Sequence, residues 1–253
     1  MKPGIAAAID WSRLWFGPYR ELGESVTARI NDGLSVAQAL NHQRIASSPQ
    51  FTGEAVQGSE AYEAFIARGN CVPTRDNLHD LFNGLVWLRF PALKRRLNAL
   101  HAAEIQRCGV QAERGAARDA LTLFDENGAL LGASPHLTDA LRRREWPALF
   151  IDERALWRDA QIVIVGHALL EKLVQPRKAM TAHVWLARTP FGADASTPAL
   201  DVDPTAKPFA PLPVLGIPGW WPANTLPDFY VDSAVFRPAR THRSTDNVRP
   251  CRS

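Results

Sequence analysis

The chain has 253 residues, of which 46% are hydrophobic and 22% charged, and its formal net charge is +3. This length and composition fit one large or two small globular domains and exclude a chain that is disordered throughout. No run of about eighteen apolar residues occurs and the first residues lack the apolar core of a signal peptide, so we expect a cytoplasmic protein without a membrane span.

The N-terminal segment between Trp11 and Tyr19 is rich in aromatic residues. It is too apolar for a free arm, and we expect it to dock on the body of the protein. Helical patterns follow over 25–46 and 60–67, with a turn-like stretch over 49–58 between them.

The segment 74–87 predicts a helix with a dense apolar side, for which Thr74 is the expected N-cap. Its polar residues share one face at helical spacing, and they are Asp76, His79, Asp80 and Asn83. His79 and Asn83 could hold a divalent ion or orient a water together with a neighbouring carboxylate. The same groups could instead tie the helix to nearby backbone, and the sequence leaves both interpretations open.

Pro91 removes a backbone donor and marks a break, after which a second amphipathic helix is predicted to about residue 109. This helix and the one over 74–87 are expected to form the scaffold of the domain. The break lies inside a basic cluster that consists of Arg89, Lys94, Arg95 and Arg96. This cluster either contacts phosphate groups or nucleic acid, or simply forms a solvated helix face.

The apolar period changes afterwards and predicts a β-hairpin and a small mixed sheet over 118–188. Apolar segments flank Asp125-Glu126-Asn127-Gly128, in which Asn-Gly is a strong hairpin signal. Further strands are predicted over 161–165 and 181–188, with a short helix over 167–173. The predicted fold class is therefore α+β, in which an N-terminal helical half packs on the sheet.

Regular structure is expected to stop largely after Thr189, because ten of the nineteen prolines lie from Pro190 to Pro238. The aromatic residues of 189–236 predict an irregular Pro/Trp-rich arm that wraps a single domain formed by residues 1–236. The last residues, 237–253, hold five arginines and one acid and predict a disordered basic tail. Removing that tail leaves a net charge of −1 on the rest of the chain.

Further candidates for chemistry lie in the sheet region. His167 and Glu171 are four residues apart on the predicted short helix, so they share one face of it. They belong either to a functional site or to an exposed His/Glu pair. His183 could point from its strand towards them. Asp125 is either a turn residue or a supporting carboxylate. If these elements converge, they assemble His79, His167 and His183 as metal ligands, with His79, Asn83, Asp125 and Glu171 as catalytic residues.

Several familiar signatures are absent. The chain contains no phosphate-binding Walker loop, no GxGxxG after a strand, no GxSxG elbow and no HExxH. Cys71, Cys108 and Cys251 are far apart, so neither a disulfide framework nor a zinc knuckle is expected.

Four stretches resemble an uncharacterised proteobacterial family, catalogued as domain of unknown function 3025, and they are 73–83, 121–128, 166–172 and 218–224. The resemblance extends to about Arg237 and implies a bacterial cytosolic protein with one continuous domain, but no activity. A weaker resemblance, to the His-Me-finger nucleases, rests on Asn77-Leu78 and Asn83. The chain departs from that pattern because no hairpin with a histidine precedes Asn77.

These observations predict a metal-assisted hydrolase of a phosphate-containing substrate, with nucleic acid among the candidates and a divalent metal ion as cofactor. The alternative is a non-catalytic binding or scaffold protein that contacts a partner through the Trp-rich arm and the basic tail. The two hypotheses differ in whether the histidines of separate elements share one cleft.

Overall fold

A computed structural model describes residues 8–53, 62–108, 116–187 and 209–239. The α-helices of these residues are α1 Arg20–Asn31, α2 Val36–Asn41, α3 Tyr62–Gly69, α4 Leu78–Arg89, α5 Pro91–Cys108, α6 Ala116–Asn127, α7 Pro135–Arg143 and α8 His167–Lys172. The strands are β1 Gln50–Thr52, β2 Cys71–Pro73, β3 Gly128–Gly132, β4 Gln161–Ile164, β5 Thr181–Ala187 and β6 Ala210–Pro213. The predicted α+β class is confirmed.

Four of the strands form a mixed sheet in the order β4-β3-β5-β6, and β1 and β2 form a separate parallel pair. In the larger sheet β3 is antiparallel to β4 and parallel to β5, and β6 runs antiparallel to β5. Every residue of β3 is buried, as is usual for a central strand covered by helices. The prolines of β6 are tolerated because this strand lies at the sheet edge.

The two central helices, α4 and α5, are separated at Pro91 as the sequence predicts. The predicted N-cap Thr74 is wrong, because α4 begins later and is capped by Asn77, whose side chain accepts a hydrogen bond from the backbone N–H of Asp80. Residues from Asp80 to Leu88 are all buried. A helix buried on every side carries its polar residues into the interior, where each of them needs a partner.

The predicted hairpin around Asn127-Gly128 is wrong. Residues 120–127 belong to α6, in which Ala117, Ala120, Leu121 and Phe124 are buried at helical spacing. The Asn-Gly pair is the junction between α6 and β3. Glycine fits this junction because a Cβ on Gly128 would lie 2.3 Å from the carbonyl oxygen of Phe124.

The N-terminal segment packs on the body, as predicted. It includes a 3₁₀ helix, Leu14–Tyr19, in which Trp15, Phe16 and Tyr19 are buried. The hydroxyl of Tyr19 donates to the carbonyl oxygen of Ile164 at 2.7 Å, which ties the segment to the end of β4.

The C-terminal arm also packs inward where it is described. The ring of Trp220 lies 5.9 Å from that of Trp15, and short 3₁₀ helices replace most of the regular structure. The arm was predicted as irregular, but its residues 210–213 form β6. Most of the predicted tail, 240–253, and the first part of the arm, 189–208, lie outside the described residues.

The longest helix among the described residues is α5, with 18 residues. Neither α5 nor any other helix in the described ranges has the length and apolar composition that a membrane-spanning segment needs.

Candidate metal centre

Two histidines that are 88 residues apart meet where α4 packs against α8. His79 lies in the first turn of α4 and His167 is the first residue of α8. Their Nε2 atoms are 3.0 Å apart, and the ring planes are inclined by 74°. Glycine at position 166 lets the start of α8 lie close to the junction of α6 and β3, because a Cβ there would lie 2.4 Å from the backbone nitrogen of Gly128.

The other ring nitrogens of both histidines are held by acceptors. Nδ1 of His79 lies 3.0 Å from Oε2 of Glu171, and Nδ1 of His167 lies 2.8 Å from the carbonyl oxygen of Asp125. An ionised carboxylate and a carbonyl can only accept, so both Nδ1 atoms carry the proton. In the neutral rings both Nε2 atoms therefore present a lone pair.

Two lone pairs that face one another across 3.0 Å repel unless a cation lies beside them. The cation is either a shared proton or a metal ion. Donation of Nδ1–H to a carboxylate or a backbone carbonyl is the usual arrangement of histidines that bind metals through Nε2, because it fixes the ring orientation and makes Nε2 more basic.

The carboxylate of Glu126 beside the two imidazoles favours a metal ion over a shared proton. Oε1 of Glu126, from the last turn of α6, lies 3.6 Å from Nε2 of His167, and one atom each of His79, Glu126 and His167 lie within 4.8 Å of one another. Ligands bound at about 2.1 Å are about 3.0 Å apart in octahedral and about 3.4 Å apart in tetrahedral geometry. The separations of 3.0 and 3.6 Å at Nε2 of His167 are close to these values, so the three side chains are a candidate metal-binding set, whereas a shared proton requires no third group.

Burial sets the charge state of this group. Burial, only partly opposed by the carboxylate of Asp125, lowers the pKa of His167 to about 4, so the ring is neutral at pH 7. Burial also raises the pKa of Glu126 despite the opposing effect of His79. Metal binding requires a neutral imidazole, and a bound cation would stabilise the ionised form of the carboxyl group.

The carboxylate of Asp125 does not join the three. Its Oδ1 lies 2.5 Å from Nζ of Lys94, and its Oδ2 lies 3.6 Å from Nδ1 of His167. Burial alone would raise the pKa of Asp125, but the charge and the hydrogen bond of Lys94 oppose burial, and the pKa is lowered. Asp125 is therefore an ionised neighbour of the candidate centre, and its backbone carbonyl orients His167.

The three residues line one end of a cavity of about 360 Å³ between α3, α4, α5 and α6. Its charged walls are two cations, Arg75 and Lys94, and four carboxylates, Glu63, Asp80, Asp125 and Glu126. With its histidines neutral the lining carries a formal charge of −2. One divalent cation would balance this charge.

The polar stripe predicted on α4 divides between two roles. His79, Asp80 and Asn83 line the cavity, whereas Oδ1 of Asp76 accepts a hydrogen bond from the backbone N–H of Val36 at 2.8 Å. Asp80 pairs with Arg75. Nδ2 of Asn83 donates to the hydroxyl of Tyr62 at 2.9 Å, so Asn83 lies on the wall of the cavity and outside the three-residue set.

The predicted ligand His183 lies elsewhere. It is on β5, where it pairs with Gly128 of β3 and Pro211 of β6, and it is not among the residues that line the cavity. Glu126 occupies the third position that the sequence analysis gave to His183. Glu171, predicted as a catalytic carboxylate, contacts Nδ1 of His79 through Oε2.

The predicted basic cluster does not form one surface. Lys94 points into the cavity, Arg89 donates to the carbonyl oxygen of Pro18 and lies over the ring of Phe90, and Arg95 and Arg96 are exposed. Asn77, which the nuclease resemblance made a candidate for the metal helix, caps α4.

Sequence reasoning missed His101 and Asn98 of α5, named Lys94 only as a member of the basic cluster, and assigned Glu126 to a turn. A signal for the first three was present, because residues 94, 98 and 101 share one helical face in the same way as the stripe of α4. All three are buried and line the cavity. The assignment of Glu126 failed together with the predicted hairpin.

A protein-family model described as "Protein of unknown function (DUF3025)" matches residues 50–240. No curated protein and no solved structure matches the chain. The residues that line the cavity, from Tyr62 to His167, all lie within the matched range.

Proposed function

The chain belongs to the DUF3025 family, whose description names no activity, and from the geometry of its site we propose that it is a metal-dependent hydrolase. His79, His167 and Glu126 bind one divalent cation. Glu171 and the carbonyl of Asp125 orient the two imidazoles. The observation that supports this proposal best is the pair of Nε2 atoms facing one another at 3.0 Å with both Nδ1 atoms already engaged.

Two histidines and one glutamate are a ligand set of catalytic metal sites, in which three protein ligands leave a position for water or substrate. A divalent ion at such a site lowers the pKa of a bound water and polarises an oxygen of the substrate. In hydrolysis the oxygen of the water forms a bond to the electrophilic atom, the bond to the leaving group breaks, and the leaving group takes up the proton that the water loses.

The substrate that we propose is a phosphate ester. A phosphoryl oxygen is a good ligand for a divalent cation, and the ammonium group of Lys94 lies in the same cavity. Small phosphate esters are favoured over nucleic acid because Lys94 points inward and the remaining members of the basic cluster do not form a continuous positive surface.

The alternative of a scaffold protein finds less support. It requires the aromatic residues of the arm to be available to a partner, but Trp220 is buried against Trp15, and Phe229, Tyr230 and Phe236 pack against one another. Trp221 is only partly exposed. The arginines of the tail beyond Arg237 lie outside the described residues.

Metal analysis of the purified protein tests the proposal. We expect about one divalent ion per chain after incubation with zinc, manganese or magnesium and removal of the excess. His79→Ala and Glu126→Gln should lose the ion while remaining folded. Added metal should raise the melting temperature of the wild type and leave that of His79→Ala unchanged, because only a protein that binds the ion is stabilised by it.

Matched controls are His183→Ala and His136→Ala. His136 is an exposed histidine of α7, and His183 is the sequence-predicted ligand outside the cavity. Both variants should retain the metal content of the wild type. The proposal is wrong if the wild type binds none of these ions, or if His79→Ala binds the ion as the wild type does.

A further inference from the structure

The side chain of Lys94 is only 5% exposed, which is unusual for an ammonium group. It reaches the cavity from α5 and lies 5.5 Å from the centre of the Trp87 ring. A buried charge is costly unless it is paired and its hydrogen bonds are satisfied. Counting the acceptors around Lys94 therefore shows whether any of its N–H donors remain for a ligand.

Asp125 is the one hydrogen-bond acceptor that Lys94 has among the residues in the described ranges, through Oδ1 at 2.5 Å. An ammonium group has three N–H donors. The face of Trp87 attracts the charge but accepts no full hydrogen bond. Lys94 thus has N–H donors that no side chain or backbone acceptor of the described residues uses, and they lie next to a cavity that is large enough for a small ligand.

The charge of the residues that line the cavity determines whether an anion can approach these N–H donors. Without a metal ion the lining has a formal charge of −2, so it repels anions. With a divalent ion on His79, His167 and Glu126 the charge is neutralised. The metal and Lys94 are linked through Asp125, whose carboxylate contacts Lys94 and whose backbone carbonyl holds His167.

We infer that Lys94 is a substrate-binding residue that donates to an anionic oxygen of the substrate, and that this oxyanion binds more tightly once the metal ion is bound. The inference rests on the proposed metal site and extends it to the chemistry of the substrate. The ligand class is an oxyanion small enough for the cavity, such as the phosphate group of a phosphate ester.

Titration calorimetry with inorganic phosphate tests this inference. The proteins to compare are the metal-loaded wild type, the metal-free wild type, Lys94→Met, and the double variant Lys94→Met/Asp125→Asn. The double variant removes both charges of the buried pair, so it keeps the experiment valid if Lys94→Met alone does not fold. Arg142→Met, which removes an exposed positive charge on α7, is the control for net charge.

We expect the metal-loaded wild type and Arg142→Met to bind phosphate alike. The folded Lys94 variants should retain metal and bind phosphate about 10- to 100-fold more weakly, the range for losing a hydrogen bond to a charged group. The metal-free wild type should bind phosphate more weakly than the metal-loaded protein by a similar factor.

Two results would overturn the inference. One is a metal-loaded wild type that binds no phosphate, and the other is a metal-containing double variant that binds phosphate as tightly as the wild type. Metal content is measured separately, so failure of the metal site is recognised by itself. If the wild type binds no metal, the proposed dependence of phosphate binding on the metal is wrong. The metal-free wild type and the metal-free double variant are then compared, and equal phosphate affinities of the two would show that Lys94 does not bind the oxyanion.

Discussion

Glu171 contacts His79 at 3.0 Å although the two residues belong to helices that are far apart in the chain. Glu171 lies one turn after His167 on α8. The short helix α8 therefore supplies one imidazole of the candidate centre and also holds the imidazole supplied by α4. This arrangement makes the orientation of both rings depend on the packing of α4 against α8.

Substitution of Glu171 should weaken metal binding without abolishing it. Loss of a group that orients a ligand commonly costs about 10- to 100-fold in metal affinity, and we expect this for Glu171→Ala. Glu171→Gln should lose less, because its amide oxygen can still accept from Nδ1 of His79. Competition with a chelator of known affinity measures both. Equal metal affinities of Glu171→Ala and the wild type would show that Glu171 does not orient His79.

Gly166 should tolerate no side chain. A Cβ at this position would lie 2.4 to 2.6 Å from backbone atoms of Gly128 and Asn127, which cannot move as a side-chain end can. We expect Gly166→Ala to lower the free energy of unfolding by about 1–3 kcal/mol and to shift His167, with reduced metal content. Urea denaturation and metal analysis measure the two effects.

The matched control is Gly17→Ala, because a Cβ there would have no atom within 4 Å. It should change the stability by about 0.5 kcal/mol or less and leave the metal content unchanged. The steric argument fails if both glycine variants behave alike.

The buried pair of Lys94 and Asp125 should show strong coupling in stability. Lys94→Met leaves the partly buried carboxylate of Asp125 without its partner. Breaking a fully buried pair in this way costs about 3–5 kcal/mol, and we expect a loss at the lower end of that range. The additional substitution Asp125→Asn should recover part of this loss, because the unpaired charge is removed. A double-mutant cycle by urea denaturation gives the coupling energy.

The exposed pair of Arg142 and Asp139 is the comparison for this cycle, with both side chains more than half exposed. Breaking it should cost at most about 1 kcal/mol, since solvent screens the charges. A coupling energy between Lys94 and Asp125 no larger than that of the surface pair would contradict the interpretation of Lys94 as a buried, paired cation.

Asn224 should be a major stabilising residue of the C-terminal arm. It is fully buried, and its Nδ2 donates to the carbonyl oxygens of Leu215 and Ile217 at 2.8 and 2.7 Å. Asn224→Ala leaves both carbonyls without this donor, so we expect a loss of about 2 kcal/mol or more in the free energy of unfolding. The neighbouring exposed Thr225→Ala should cost about 0.5 kcal/mol or less. Chemical denaturation of the two variants decides whether the arm depends on this side chain.

Elements with a strong local pattern were predictable from the sequence. The break between α4 and α5 at Pro91, the strand over 161–164, the short helix after Gly166 and the strand over 181–187 all occur as predicted. In each case the period of apolar residues or a single proline or glycine fixes the local backbone conformation. Such signals act within about ten residues and need no distant partner.

The hairpin prediction failed because two local signals compete around Asn127-Gly128. Asn-Gly favours a turn, but the buried residues from Ala117 to Phe124 follow a helical period, and the packing of that face decides between the two. This error also affected the predicted site. Glu126 was assigned to a turn and was not recognised as a site residue, whereas it lies in the last turn of α6.

The chain by itself therefore determined many of the helices and strands, and it placed His79 and His167 on helices as candidate site residues. The tertiary structure alone decided that Glu126 and not His183 joins them, that Asp125 faces Lys94, and that Glu171 holds His79. The physical reason is that residues 31 to 92 positions apart are brought together by the packing of whole helices around a shared core. No local spacing in the sequence encodes these distances.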